Sequence, residues 1–374
     1  MKNIIYIFLV VLFMGCIEEY VPKGIHEENN LLIVDGIISE GESVIKLTRS
    51  VGLNGNVSNI KLVMNAQLHV ESTDGTIYPF KLNSSYGDYS ANIEEFKPGE
   101  KYRLIIKLEG LEYQSDYLEP MKTPAVDTVY VQKDNDIDAS VRVSAHGTAD
   151  NSKYYRWTYN EIWEIQSRIK VLAIFVNGVP TMVYEEDGIR DEGRYCWVYN
   201  RYMGYSVATS EDLTENRIVG KKLLETSIED ERFSQLYYID VKQNSIRKAT
   251  YDYITNIEKN IEEIGSIFGP MPSEMKGNIT CVTNPDNPVI GYIDVSTTTR
   301  KSLFLPYPND IYEEGLMIIC KLEEVTHISG SYGMVSFRKD PDGIFYTVAP
   351  LKCMDCRYNG GTKVKPPFWP NDHI

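Results

Sequence analysis

Cysteine is the residue type here with the most chemistry to offer, and the six copies divide into two groups. Cys16 follows Phe13, Met14 and Gly15, which reads as a bacterial lipobox. Ahead of it, Met1-Lys2-Asn3 carries one positive charge and Ile4 to Met14 is an apolar run of eleven residues. That pattern is a secretory signal peptide. It is shorter than the roughly 20 residues a membrane span requires. Cleavage would make Cys16 the first mature residue, and acyl chains on it would hold the protein to a membrane. Each buried methylene adds about 0.8 kcal/mol, so several chains anchor far more firmly than one.

Cys196, Cys281, Cys320, Cys353 and Cys356 form the second group. An exported chain meets an oxidising compartment, so these are candidate disulfide residues. Their odd number leaves at least one thiol free, and spacing alone does not set the pairing. Cys353 and Cys356 also have the CxxC spacing of zinc ligands and redox pairs. Zinc requires roughly four ligands. Cys281 and Cys320 could add two, but neither starts a second CxxC. A redox dithiol is expected at a helix start that lowers the thiol pKa, whereas the chain after Cys356 is rich in Gly and Pro. Structural disulfides, tying the tail to the body or closing a local loop, are the expectation.

Other groupings carry less. Asp134, Asp136 and Asp138 match the opening of a calcium loop, but Ala139 and Ala145 stand where it needs glycine and an acid. A solvated inter-strand loop is expected. His26, His69, His146, His327 and His373 are scattered and form no HExxH pair, and no GxSxG elbow or phosphate-binding glycine loop occurs. Acidic pairs such as Glu185-Glu186 are uninformative among 53 acidic residues. No catalytic residue, metal site or cofactor is therefore assigned. Trp197, Tyr199, Tyr202 and Tyr205, near Gly204 in an irregular stretch, are the candidate ligand-binding residues, for a peptide or a glycan.

The formal net charge of −15 becomes −16 once residues 1–15, carrying only Lys2, are removed. Such a surface repels phosphate backbones, which excludes nucleic acid as a partner, and any membrane attachment falls to the anchor. Tyr is abundant, at 27 residues against 11 Phe. Half-buried strand faces suit it, since the ring packs while the hydroxyl stays wet.

The elements that must position these residues are mainly β. Residues 16–30 read as a lipidated polar tether. From Leu31, short alternating or β-branched runs separated by turns such as Thr73-Asp74-Gly75-Thr76 and Pro98-Gly99-Glu100 predict an N-terminal β-sandwich over 31–120, Ig-like or carboxypeptidase-regulatory-like. A second β-rich domain is expected over 121–374, with an irregular insertion at about 166–226. Its Tyr154–Ile165 segment alternates, so Tyr155, Trp157, Tyr159 and Trp163 share a core face opposite Arg156, Thr158 and Asn160. Ile246, Tyr253, Ile257, Ile261 and Ile264 recur near a helical period, predicting one long helix over about 245–264 capped by Asn244 or Ser245.

Several short strings stand in a definite order: Tyr155-Arg156-Trp157-Thr158 with Glu161 and Trp163; Arg194-Tyr195-Cys196-Trp197; Gly277-Asn278-Ile279 before Gly291-Tyr292; and Cys353 to Trp369. In that order and spacing the chain resembles a family of Bacteroidota outer-membrane lipoproteins, domain of unknown function 4249, from about residue 20 to Trp369. The resemblance implies an outer-membrane lipoprotein, often encoded beside a TonB-dependent receptor, with no established ligand or enzymatic activity. Glu18 and Glu19 after the anchor resemble the acidic signal that sends such lipoproteins to the outer face. The expectation is a non-enzymatic accessory that captures ligand for, or docks on, such a receptor. A structural or adhesive surface protein is the alternative, and an unrecognised hydrolase a more distant one.

Overall fold

The computed structural model describes residues 30–370 except 51–60, 84–85, 170–171, 177–178, 183, 186–187, 190–192, 203, 264–276, 308, 312–319 and 329. The expected signal peptide, Cys16 and most of the expected tether lie outside the described residues, as do Glu186 of the acidic pair and Ile264. The protein is mainly β, built from several antiparallel sheets with one α-helix among the described residues.

The N-terminal body is a sandwich. One sheet orders Val289–Gly291, Leu32–Ile37, Gly41–Arg49, Asp88–Ile93 and Lys81–Asn83; the other orders Ile279–Cys281, Leu111–Ser115, Tyr102–Leu108, Gln67–Ser72 and Ile77–Pro79. Strict alternation decides the packing. In Leu32–Ile37 every second residue is buried, and Val34, Ile45, Leu47, Val70, Ile106 and Tyr113 meet in one core. The core is completed from far along the chain. Ile279, Ile293 and Val295 pack into it, and Val289–Gly291 pairs in parallel with Leu32–Val34. The sandwich read over 31–120 thus takes its two outermost strands from residues 279–291. Glycine makes that return possible: Gly291 has φ +150°, and a Cβ there would lie 2.3 Å from the Val34 carbonyl.

The second body stacks a three-stranded sheet, Val126–Lys133, Asp138–His146 and Arg217–Ser227, on a five-stranded one. The latter orders Tyr195–Arg201, Tyr154–Gln166, Tyr237–Ile246 and Thr298–Leu305, with Ser206–Thr209 also on the Tyr154 strand. Tyr155, Trp157 and Tyr159 enter its core with Ile239, Val241, Val141 and Val143, as the alternation predicts. A further sheet joins Ala173–Val176 and Val179–Met182 to the hairpin Tyr332–Asp340/Gly343–Pro350 and Glu323–Val325. The 166–226 stretch is accordingly no irregular insertion. Its described residues supply strands to four sheets, the longest being Arg217–Ser227.

The helix runs Lys248–Glu263, and its cap differs from the expectation. Asn244 and Ser245 belong to the strand Tyr237–Ile246 and are buried. Asn244 donates to Thr298 Oγ1 at 2.8 Å, and the Ser245 amide donates to Thr123 Oγ1 at 2.9 Å. The carboxylate at the helix start comes instead from Asp294, which accepts from the Arg247 amide at 2.7 Å and the Thr250 hydroxyl at 2.6 Å. An acceptor and a negative charge at a helix N-terminus satisfy open amides and the helix dipole together.

Candidate functional site

Strand register turns the second body's five-stranded sheet into a grid. Odd-numbered residues of Tyr154–Gln166 face the core, so the even-numbered ones share the opposite face with their cross-strand partners. Four rows result from the pairings. Tyr199, Ile162, Tyr238 and Phe304 align; next come Arg201, Asn160, Asp240 and Ser302; then Thr158, Lys242 and Arg300; then Arg156, Asn244 and Thr298.

The N-terminal body covers the last row and forms a cleft of about 130 Å³ there. Its walls carry opposite charges that pair across the boundary. Arg156 meets Asp35 at 2.9 Å and donates to the Gly36 carbonyl at 3.4 Å, while its guanidinium lies 4.4 Å over the Tyr205 ring. Arg201 pairs with the buried Asp88, and Lys242 stands 3.6 Å from Glu42. Gly36 permits the close pairing of Leu32–Ile37 with Gly41–Arg49, since at φ +154° an added Cβ would sit 2.4 Å from the Val44 carbonyl. Burial first, and then the nearby Arg300 cation, pull the Lys242 ammonium below the usual lysine range, against the opposing pull of Glu42.

The C-terminal tail covers the other end. Thr362 bridges to Trp197 in backbone pairing, Lys363 donates to the Tyr195 carbonyl at 2.6 Å, and Trp369 donates to Glu164 at 3.2 Å. Cys356 is bonded to Cys196 and Cys353 to Cys320. The CxxC cysteines thus serve two separate disulfides, one tying the tail to the sheet across 160 residues, the other closing 33. Cys281 is the exception among the candidates. It is a free, buried thiol packed in the N-terminal core as a small apolar side chain.

The four candidate aromatic residues do not form one loop. Trp197 is buried with Ile162, Leu236 and Trp369, and Tyr199 is exposed, donating to the Val364 carbonyl at 2.8 Å. Tyr202 stacks on Tyr159 at 4.4 Å and lines the cleft, while Tyr205 lies under Arg156. Trp197 and Tyr199 therefore meet the tail, and Tyr202 and Tyr205 the domain boundary. Sequence reasoning passed over Lys242, Arg300 and Phe304, although the alternation of both central strands was the signal that could have ranked them. The register that brings them beside Asn160 and Thr158 is set by pairings distant in sequence.

Asp134 has cations where a calcium loop would hold its ion: Arg142 at 2.6 Å and Lys222 at 3.0 Å. The buried Glu161 accepts from Arg232 at 2.9 Å, Tyr237 at 2.8 Å and Asn200 at 2.9 Å. Burial first, and then this carboxylate, push the Tyr237 phenol well above its usual range. Asn278 both donates to and accepts from the Ile293 backbone at 2.8 Å, and Gly277 faces Gly291 without room for a side chain. Trp157 donates to Gln243, which in turn donates to the Pro124 carbonyl. These ordered strings thus hold strands together. A family described as a domain of unknown function, DUF4249, matches residues 17–302. The chain belongs to this family. The DUF4249 match begins at Ile17, next to Cys16, and takes in the N-terminal sandwich and the central sheet, while the tail with Cys353 and Cys356 lies beyond it. Among curated proteins, none matches the sequence.

Proposed function

We propose that this DUF4249 protein is a lipid-anchored outer-membrane protein of the Bacteroidota type, facing outward, and a non-enzymatic ligand-capture accessory of a TonB-dependent receptor. The observation that carries the reading is the long even-numbered sheet face, held between the N-terminal body at one end and a disulfide-tied tail at the other. It is a broad surface on a braced frame. Sites carried on strands and held by packed neighbours keep their geometry more precisely than sites on loops.

Two further observations support it. Disulfides 160 and 33 residues long agree with the exported chain that the Cys16 lipobox implies. In the cleft the carboxylates of Asp35, Asp88 and Glu42 are engaged by Arg156, Arg201 and Lys242, an arrangement that fixes geometry rather than moving protons.

Purification of the tagged protein from its native outer membrane in mild detergent tests the partnership. A TonB-dependent receptor in equal amount is expected, and recovery of the protein alone contradicts it. Metabolic labelling with an alkyne fatty acid tests the anchor: label is expected on the wild type and absent from Cys16→Ala.

A further inference from the structure

The open part of the sheet face lies between the two covers and combines two kinds of side chain. At the tail end, Tyr238, Phe304 and Phe368 gather with ring centroids 4.6 to 6.3 Å apart, and Phe304 and Phe368 remain 39% and 52% exposed. Large apolar rings left in water beside one another mark an interaction surface more often than a fold requirement. Toward the cleft, Arg201, Lys242 and Arg300 stand on the adjoining rows with one carboxylate, Asp240, among them. Strands lie about 4.8 Å apart and alternate residues about 6.7 Å, so four strands and three rows make a platform of roughly 15 by 13 Å.

The platform's three cations meet Asp88, Glu42 and Asp240, so it is close to neutral on a chain whose net charge is −15. The rim acid Glu42 is 60% exposed and 3.6 Å from Lys242, a pairing of the kind worth about 0–1 kcal/mol and readily exchanged for a ligand anion. An anion there would also offset, by its own attraction, the burial and the Arg300 repulsion that depress the Lys242 ammonium.

The central strands Tyr154–Gln166 and Tyr237–Ile246 are each hydrogen-bonded on both sides, so the middle of the floor offers side chains alone, and the sheet edge lies at its margin along Thr298–Leu305. An extended peptide, which takes its affinity from main-chain pairing with an edge, would lie beside the face there and not over it. Flat rings on one side, and amide, hydroxyl and guanidinium groups on the other, suit a chain of rings bearing hydroxyls and carboxylates. From this geometry we infer that the sheet face binds an acidic oligosaccharide, with sugar rings stacked on Phe304 and Phe368 and a uronate or sulfate group against Lys242 and Arg300. This deepens the ligand-capture part of the proposed function.

The experiment is calorimetric titration of the full-length protein in detergent micelles with hexasaccharides of galacturonate, alginate and heparin. Cellohexaose and hexaglutamate serve as comparisons. Binding of at least one acidic hexasaccharide is expected, weaker at high salt and at least tenfold weaker in both Arg300→Ala and Phe304→Ala. Lys301→Ala, one residue along the same strand on its opposite face, is expected to leave affinity unchanged. Thermal melts of each variant separate loss of binding from loss of fold. The inference is overturned if none of the three acidic hexasaccharides binds, if binding is indifferent to Arg300→Ala and Phe304→Ala, or if hexaglutamate binds more tightly. No receptor is present in this titration, so its failure leaves the receptor partnership standing, and the reverse also holds.

Discussion

Arg156 of the second body and Asp35 of the first meet at 2.9 Å, with the arginine side chain 8% exposed and the aspartate 39%. The asymmetry matters energetically. Removing Asp35 strands a cation in the boundary, whereas removing Arg156 leaves an acid that water can still reach. Loss of one partner of a buried pair costs about 3–5 kcal/mol, and a half-exposed survivor reduces that cost.

Asp35→Ala should therefore lower stability by about 3 kcal/mol. The double variant with Arg156→Met should lose less than the sum of the two single changes. Urea unfolding of all four proteins measures the coupling. Strict additivity would mean that the pair does not join the bodies.

Asp294 is fully buried and serves the Arg247 amide, the Arg247 guanidinium and the Thr250 hydroxyl at once. Asp294→Ala should cost about 3 kcal/mol, since it leaves a charge and donors without their acceptor. Asp294→Asn, which keeps the shape, should cost less. Helical circular dichroism and the unfolding midpoint check both.

The disulfides give a thiol count. In a Cys16→Ala chain, one thiol should titrate with a thiol reagent, and only after unfolding, because Cys281 is 3% exposed. Reduction should remove about 2–4 kcal/mol per bridge. Cys281→Ser should leave the peptide map of the two bridges unchanged.

Asp134 sets an acid limit. Burial alone would raise its pKa, but hydrogen bonds from Lys222, Ser140 and Arg142 together outweigh it and lower the value from 3.8 to about 2. The fold thus favours the ionised form, and this contribution is complete above the unfolded value of 3.8. It fades as pH falls toward about 2 and is absent below. Asp134→Asn should flatten the stability profile within that window and leave the remaining acid sensitivity in place. Denaturant midpoints at several pH values across it provide the check.

Much of the frame was legible because alternation is a local signal. Leu32–Ile37, Tyr102–Leu108 and the aromatic strand declare their buried sides residue by residue. Arg217–Ser227 was missed because Ile218 and Leu223 are its only fully buried apolar side chains, too few to reveal a period. Asn244 and Ser245 look like a cap in sequence, yet with Gln243 they are a buried strand end whose polar atoms are satisfied by Thr298, Thr123 and Trp157. No local pattern carries such pairings. The same limit hid the return of residues 279–295 to the first sandwich, and with it the role of Cys281. It also hid the proposed binding face, whose members come from four strands and meet only through register.

Native mass spectrometry of the protein extracted in mild detergent from native membranes is the sharpest check on the proposed receptor partnership. A complex of one acylated chain with one TonB-dependent receptor is expected, lost in the Cys16→Ala protein. A single acylated chain, with no larger species at any detergent concentration that preserves receptors, would contradict it.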